Sequence, residues 1–294
     1  MSTEFNKIAI VGRPDDERIA EPVQTLTRHL ADKGIELYSA IPNDGVTQVE
    51  ESELADLADL VVAVGGDGTM LHAGAIARKR DIPLLGINRG RLGFLADVTP
   101  SEMLACIDQV LDGNFQKESR LVLEAVLQTS VGEHRAYAIN DVVLQRRETG
   151  RMVDFETSVA GRFINTHSGD GLIVSTPTGS TAYALSCGGP IIDPQIDAIV
   201  LVPIAPHTLT DRPIVIPSNQ PVEIRLHERD DTKAEITVDG ASMGEIKPGD
   251  TLTIGPSEGR ITLLHPHSYD YFEILRSKLF WGKDGRNRGI PNGS

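Results

Sequence analysis

Residues 59–69 read DLVVAVGGDGT, and this stretch decides the fold. Five consecutive apolar residues, Leu60 to Val64, predict a strand covered on both faces, as in a parallel sheet. The strand runs straight into Gly65-Gly66-Asp67-Gly68-Thr69. Thr69–Arg80 then carries helical spacing. Glycines allow a tight turn in which several N–H groups point at an anion such as a phosphate, and the helix that follows adds the positive end of its dipole. A plain strand-to-helix turn, with Asp67 capping the helix, accounts for the same residues. Both readings stay open on this stretch alone.

The pattern repeats on either side. Lys7–Val11 reads as a strand ending at Gly12, residues 21–33 as a helix stopped by Gly34, and Ile35–Ala40 as a second strand. Pro83–Ile87 is a further strand, followed by the glycine-rich loop Asn88–Gly93. Strands alternating with helices predict an α/β domain with a parallel sheet covered on both faces. Beyond residue 100 the texture changes. After one helical segment, Pro100–Leu111, come many short β-rich runs, from Leu121–Leu127 to Ile261–Leu264, broken by turns such as Asp239-Gly240. They predict an all-β domain, a β-sandwich. The expected division is residues 1–99 for the α/β domain, 100–266 for the β-rich domain, and 267–294 for a closing helix, Tyr271–Leu279, and a polar tail packing back on the first domain.

Composition narrows the function. The chain has 294 residues and a net charge of −14. Such an acidic surface repels nucleic acid and anionic membranes, so neither is expected as a partner. An anionic ligand would need a local site of backbone N–H groups or a metal. No apolar run is long enough to span a bilayer, and the first residues lack the layout of a secretory signal. The expected compartment is the cytoplasm. Cys106 and Cys187 stand far apart and fit no metal spacing; two reduced thiols are expected. Gly12-Arg13-Pro14 after the first strand is not the G-x-G-x-x-G dinucleotide fingerprint, and no P-loop sequence occurs.

Two further stretches stand out. Asn140-Asp141 places an amide beside a carboxylate inside an apolar run, which suits ribose hydroxyls or an adenine edge; taken alone, the pair is read first as a strand irregularity with a turn pair. Residues 169–190 read GDGLIVSTPTGSTAYALSCGGP, where small hydroxyl residues precede Tyr183. Small polar residues are poor core material, so this stretch is expected to line a ligand site.

GGDGT, NRGRLGFL at 88–95, Asn140-Asp141, GDGLIVSTPTGSTAYALS and HTLTDRP at 207–213 together resemble the successive signatures of the NAD kinase family. They cover most of residues 60–215. GGDG alone is shared with phosphofructokinases and with lipid kinases of the diacylglycerol and sphingosine type; the long central block is far more specific. The resemblance implies a Rossmann-like, phosphofructokinase-like first domain and transfer of a phosphoryl group from ATP to the 2′-hydroxyl of the adenosine ribose of NAD. It implies a divalent metal such as Mg²⁺ with ATP, and a homodimer or homotetramer. Asp67 matches the catalytic acidic residue credited with accepting the hydroxyl proton, and Gly68 its ligand-contacting neighbour. Asn140, Asp141, Asp170 and the run Thr181, Ala182, Tyr183, Ala184, Leu185, Ser186 match NAD contacts. His72 and Arg151 stand where relatives often place a basic contact. Ser168 stands where some have a basic residue, Cys187 where Ala is usual, and Ala241 where many carry Gln. Another kinase of the GGDG group, or an NAD-binding sensor without turnover, would share part of this pattern.

Overall fold

The computed structural model describes residues 4–13, 17–90, 93–147, 152–228 and 233–281. The chain forms two compact units, Met1–Glu118 with Leu263–Ser294, and Ser119–Thr262.

In the first unit the apolar runs become a sheet whose strand order is Thr47–Gln48, Glu36–Ser39, Lys7–Val11, Leu60–Gly65, Leu84–Asn88, Ile261–His265 and Gln116–Arg120. The Leu60–Gly65 strand is buried at every position, as its unbroken apolar run requires. Parallel pairing joins Lys7–Val11 to Glu36–Ser39 on one side and to Leu60–Gly65 on the other. The chain therefore builds outward in one direction from Lys7–Val11 and in the other from Leu60–Gly65. The loops after these two strands face the crevice where ligands sit in open α/β sheets. Helices Glu17–Asp32 and Met103–Leu111 contribute Leu26, Leu30, Ile107 and Val110 to the core on one face.

Two expectations are corrected here. The segment 100–118, assigned by sequence to the β-rich domain, belongs to the first unit. The reason is that Met103, Cys106, Ile107, Val110 and Leu111 bury against the first sheet. Ile261–His265, expected in the sandwich, pairs parallel with Leu84–Asn88 through Leu263 and Leu264. His265 is 1% exposed. Its Nδ1 donates to Asp97 at 2.9 Å, and its Nε2 lies 3.1 Å from a Glu118 oxygen. Burial alone would lower the His265 pKa, but the hydrogen bonds and charges of the two carboxylates outweigh it and raise it. The closing helix Tyr271–Leu279 is present as expected, capped by the Asp270 carboxylate on the Phe272 N–H. Residues 282–294 lie outside the described structure.

The second unit holds two six-stranded antiparallel sheets. One runs Arg162–Gly169, Val153–Val159, Val222–Leu226, Thr251–Pro256, Leu123–Thr129, Gly132–Ala138. The other runs Ile214–Pro217, Ala198–Ile204, Gly171–Ser175, Asp141–Arg146, Ala234–Val238, Ala241–Ile246. Alternating residues of both sheets form one core, with Phe155, Leu123, Leu127, Val142, Leu172 and Ile236 fully or almost fully buried. This is the expected sandwich.

Candidate active site

The glycine turn sits where the crevice of the first sheet opens. Gly66 has extended backbone and precedes the helix Asp67–Ala77. Asp67 faces the loop that follows Leu84–Asn88. Its Oδ2 accepts from the Phe94 N–H at 3.1 Å and its Oδ1 from the Leu95 N–H at 3.0 Å. Asn88, buried to 1%, shapes that loop by donating to the Ala96 carbonyl and accepting from the Gly90 N–H. The approach is close enough that a Cβ on Gly93 would meet the Asp67 carboxylate at once. Two cations flank the turn. A Cβ built on Gly68 would lie 3.4 Å from the Arg13 guanidinium, and one on Gly66 would lie 3.9 Å from Arg89. Arg13 entered the sequence reading only as a break in a fingerprint, and Arg89 only within a motif. What brings them together is strand order, which no local pattern reports.

His72, five residues along the same helix, places Nε2 2.8 Å from Glu51, and both side chains are half exposed. Arg151 lies outside the described residues, as do Arg91 and Leu92 of the glycine-rich loop. The other candidates belong to the second unit.

There the Asn140-Asp141 pair is held from both sides. Asp239, at the tip of the hairpin joining Ala234–Val238 to Ala241–Ile246, adopts positive φ and turns its carboxylate inward. It accepts from the N–H groups of Ile139 at 2.8 Å, Asn140 at 2.8 Å and Asp141 at 3.1 Å. On the other side the Asn140 carbonyl accepts from the Thr176 N–H at 2.9 Å and the Ser175 hydroxyl at 3.1 Å. Gly179 presses on the same carbonyl, leaving no room for a Cβ. Asp141 is 6% exposed. Burial, reinforced by the Asp239 charge, pushes its pKa up to about 7. Asp239 itself is raised by burial and held down by its three N–H donors.

The hydroxyl-rich stretch is corrected in part. Ser175, Thr176, Thr178 and Ser180 are buried and bonded within the protein, so they build the site rather than line it. The Arg120 guanidinium, for example, donates to the Thr178 hydroxyl at 3.2 Å. Polar side chains can be core material when backbone carbonyls are in reach. Beyond them Thr181 and Ala182 are half-buried and Tyr183 is 43% exposed, while Ala184 lies in a core cluster with Val143, Ile173 and Val200. Leu185 is half-buried and Ser186 exposed. Asp170 is paired with Arg146, with Nε–Oδ1 2.8 Å. The Ser168 hydroxyl faces the Met152 sulfur, and its carbonyl accepts from the His207 N–H at 2.8 Å. Asp239 is the residue that sequence reading missed: Asp239-Gly240 registers only as a turn signal.

The chain matches the family models described as ATP-NAD kinase N-terminal domain over residues 8–115 and ATP-NAD kinase C-terminal domain over residues 139–265. It is 42% identical over 293 residues to the NAD kinase of Nitrosococcus oceani, an alignment covering 96% of this chain and 99% of that one. It is 40% identical over 285 residues to the NAD kinase of Azotobacter vinelandii, covering 95% and 97%. Among solved structures it resembles an NAD kinase from Archaeoglobus fulgidus in complex with ATP. That match has a TM-score of 0.73 at 26% identity, covering 93% of this chain and 98% of that one. A yeast NADH kinase complexed with NADH shares the fold, with a TM-score of 0.88 at 23% identity, covering 97% and 90%.

Proposed function

The chain belongs to the ATP-NAD kinase family and is a phosphotransferase that makes NADP from NAD and ATP, and we propose that Asp67 is its catalytic base. The acceptor is the 2′-hydroxyl of the adenosine ribose. As its oxygen bonds to the γ-phosphorus, the bond from that phosphorus to the ADP oxygen breaks, ADP leaves, and the hydroxyl proton passes to Asp67. The observation that carries this role is the two-point anchoring of Asp67 by the Phe94 and Leu95 N–H groups. Each anchored oxygen keeps lone-pair capacity, so the carboxylate is aimed and can still accept a proton.

Phosphoryl transfer asks a protein for positioning and charge neutralisation more than covalent chemistry. Gly66–Gly68, with Arg13 and Arg89 beside them, supply N–H groups and positive charge for the ATP phosphates. Among the described residues no group of three or more His, Cys, Asp and Glu could hold a metal. A divalent cation such as Mg²⁺ would arrive as part of the nucleotide substrate. Bound there, it neutralises the transferring phosphates.

Asn140 and Asp141 are assigned to the NAD ribose and adenine, with Asp170, Ser168 and Thr181–Ser186 around them. A homodimer or homotetramer in the cytoplasm completes the reading. The test is to incubate the protein with ATP, Mg²⁺ and NAD and assay NADP with an NADP-specific dehydrogenase. Absence of NADP, with phosphorylation of diacylglycerol or fructose 6-phosphate offered in parallel, would overturn it.

A further inference from the structure

We propose that His265 is a positioning residue for the phosphoryl transfer: through Asp97 it holds in place the loop whose N–H groups aim Asp67. The proposal rests on the reading of Asp67 as the base and adds what keeps that base on target.

All the parts lie in the first unit. As the chain leaves the glycine-rich loop, the Phe94 and Leu95 N–H groups are given to the Asp67 carboxylate. Just beyond, the chain rejoins the sheet: the Val98 carbonyl accepts from the Asn88 N–H at 2.7 Å, and Val98 bridges Ile87. Asp97 sits between these two attachments. Leu95, Ala96 and Val98 around it are buried. A packed segment this short passes a displacement on rather than absorbing it, so a shift at Asp97 moves the Leu95 N–H.

What fixes Asp97 is His265. The Asp97 side chain is 7% exposed, and its Oδ2 accepts from His265 Nδ1 at 2.9 Å. Its Oδ1 is buried and has no hydrogen-bond partner among the described residues. A buried carboxylate stripped of its cation is left uncompensated. Without His265, Asp97 would be driven toward water and would carry the loop with it. His265 itself is held firmly. Its Nε2 lies 3.1 Å from Glu118 on Gln116–Arg120, and its ring stacks on Tyr269. Its own strand, Ile261–His265, pairs with Leu84–Asn88. A carboxylate at each ring nitrogen favours the imidazolium, because a neutral ring has a single N–H to give. The raised pKa of His265 agrees with this. His265 thus acts on Asp67 through Asp97 and the backbone of residues 94–97, without meeting the substrate.

The experiment is a double-mutant cycle on the full chain. Asp97→Ala cuts the link while leaving His265 beside Glu118 and Tyr269. Its kcat should fall by about tenfold or more, since misplacing a catalytic group by about 1 Å can cost about 10²-fold. The KM values for ATP and NAD should stay within about threefold of wild type. His265→Gln cuts the link from the other side and should show the same split. In an Asp67→Asn background neither substitution should lower kcat by more than about a further twofold, because no base is left to aim. A folded variant with wild-type kcat, or one that costs the same factor in both backgrounds, overturns the positioning role. So does failure of both variants to fold, which would make the pair a folding element. An Asp67→Asn enzyme that keeps its kcat overturns the reading of Asp67 as the base instead, so the two failures are distinguishable.

Discussion

The Asp239 carboxylate accepts the Asn140 N–H at 2.8 Å across 99 residues of chain. The same carboxylate takes the N–H groups of Ile139 and Asp141. One side chain thus fixes the backbone from which both proposed NAD ligands project. Its positive φ is tolerated because the side chain is repaid by three charge-assisted bonds.

Asp239→Asn should therefore damage NAD binding without touching NAD. An amide offers one acceptor oxygen where the carboxylate offers two, and no charge. Bonds to a charged group contribute about 1.5–3 kcal/mol each, so the KM for NAD should rise by about tenfold or more while the KM for ATP changes little. Equal effects on both substrates, with a lowered melting temperature, would mean the residue serves only folding.

Asp141 carries a pH signature. Its pKa is pushed up to about 7 by burial and by the Asp239 charge. In the unfolded chain it gives up its proton near about pH 3.9. Between these values the folded state binds more protons, so its contribution to stability falls as pH rises from about 4 to about 7. Asp141→Asn should flatten that part of the stability profile. Ionised Asp141 is the stronger acceptor for a ribose hydroxyl, so the KM for NAD should fall as pH rises through about 7. In Asp239→Asn the inflection should move to lower pH. A KM profile without an inflection that Asp141→Asn removes would count against Asp141 as a ligand.

Asp67→Asn should lower kcat by about 10²–10⁴-fold, the range of general-base effects. It also replaces one oxygen that accepts a loop N–H, so the melting temperature should drop by a few degrees, about 2–4 °C per kcal/mol in a protein of this size. Gly93→Ala should lower kcat too, because the added methyl would displace the Asp67 carboxylate. Either variant keeping more than about a tenth of wild-type kcat would remove Asp67 from its role.

His265 predicts the opposite kind of stability profile at higher pH. Its folded pKa is raised, so its pairing with Asp97 and Glu118 stabilises fully below the unfolded value of about 6.5. The contribution is lost as pH rises through the elevated folded value. His265→Gln should be less stable than wild type at pH 6, with the gap narrowing in alkali, as read by denaturant unfolding. A constant gap would mean the ring is held by packing alone, including its stacking on Tyr269 at 3.8 Å.

Ala241 is exposed beside the Asp239-Gly240 turn. If the position borders NAD, Ala241→Gln supplies one amide and should lower the KM for NAD by no more than about tenfold. No change in a folded variant would place it outside the NAD site.

The local elements were legible because their causes are local. Apolar runs of period two, or unbroken, announce strands such as Lys7–Val11 and Leu60–Gly65, and helical spacing with a stop announces Tyr271–Leu279. The glycine turn and the Asn140-Asp141 pair were visible as unusual residues in strand context. Partner choice was not. The polar strand Gln116–Arg120 shows no apolar pattern, yet it closes the first sheet, where the buried Glu118 lies beside His265. Ile261–His265 reads like any sandwich strand, and only its parallel pairing with Leu84–Asn88 assigns it elsewhere. Ser175, Thr176 and Ser180 face inward because carbonyls of Ile139, Asn140 and Pro177 wait for them there. A side chain's period is written in its neighbours along the chain. Whether it meets a carbonyl, a carboxylate or water depends on surfaces brought together across as many as 168 residues, as for His265 and Asp97, and that only the tertiary structure decides.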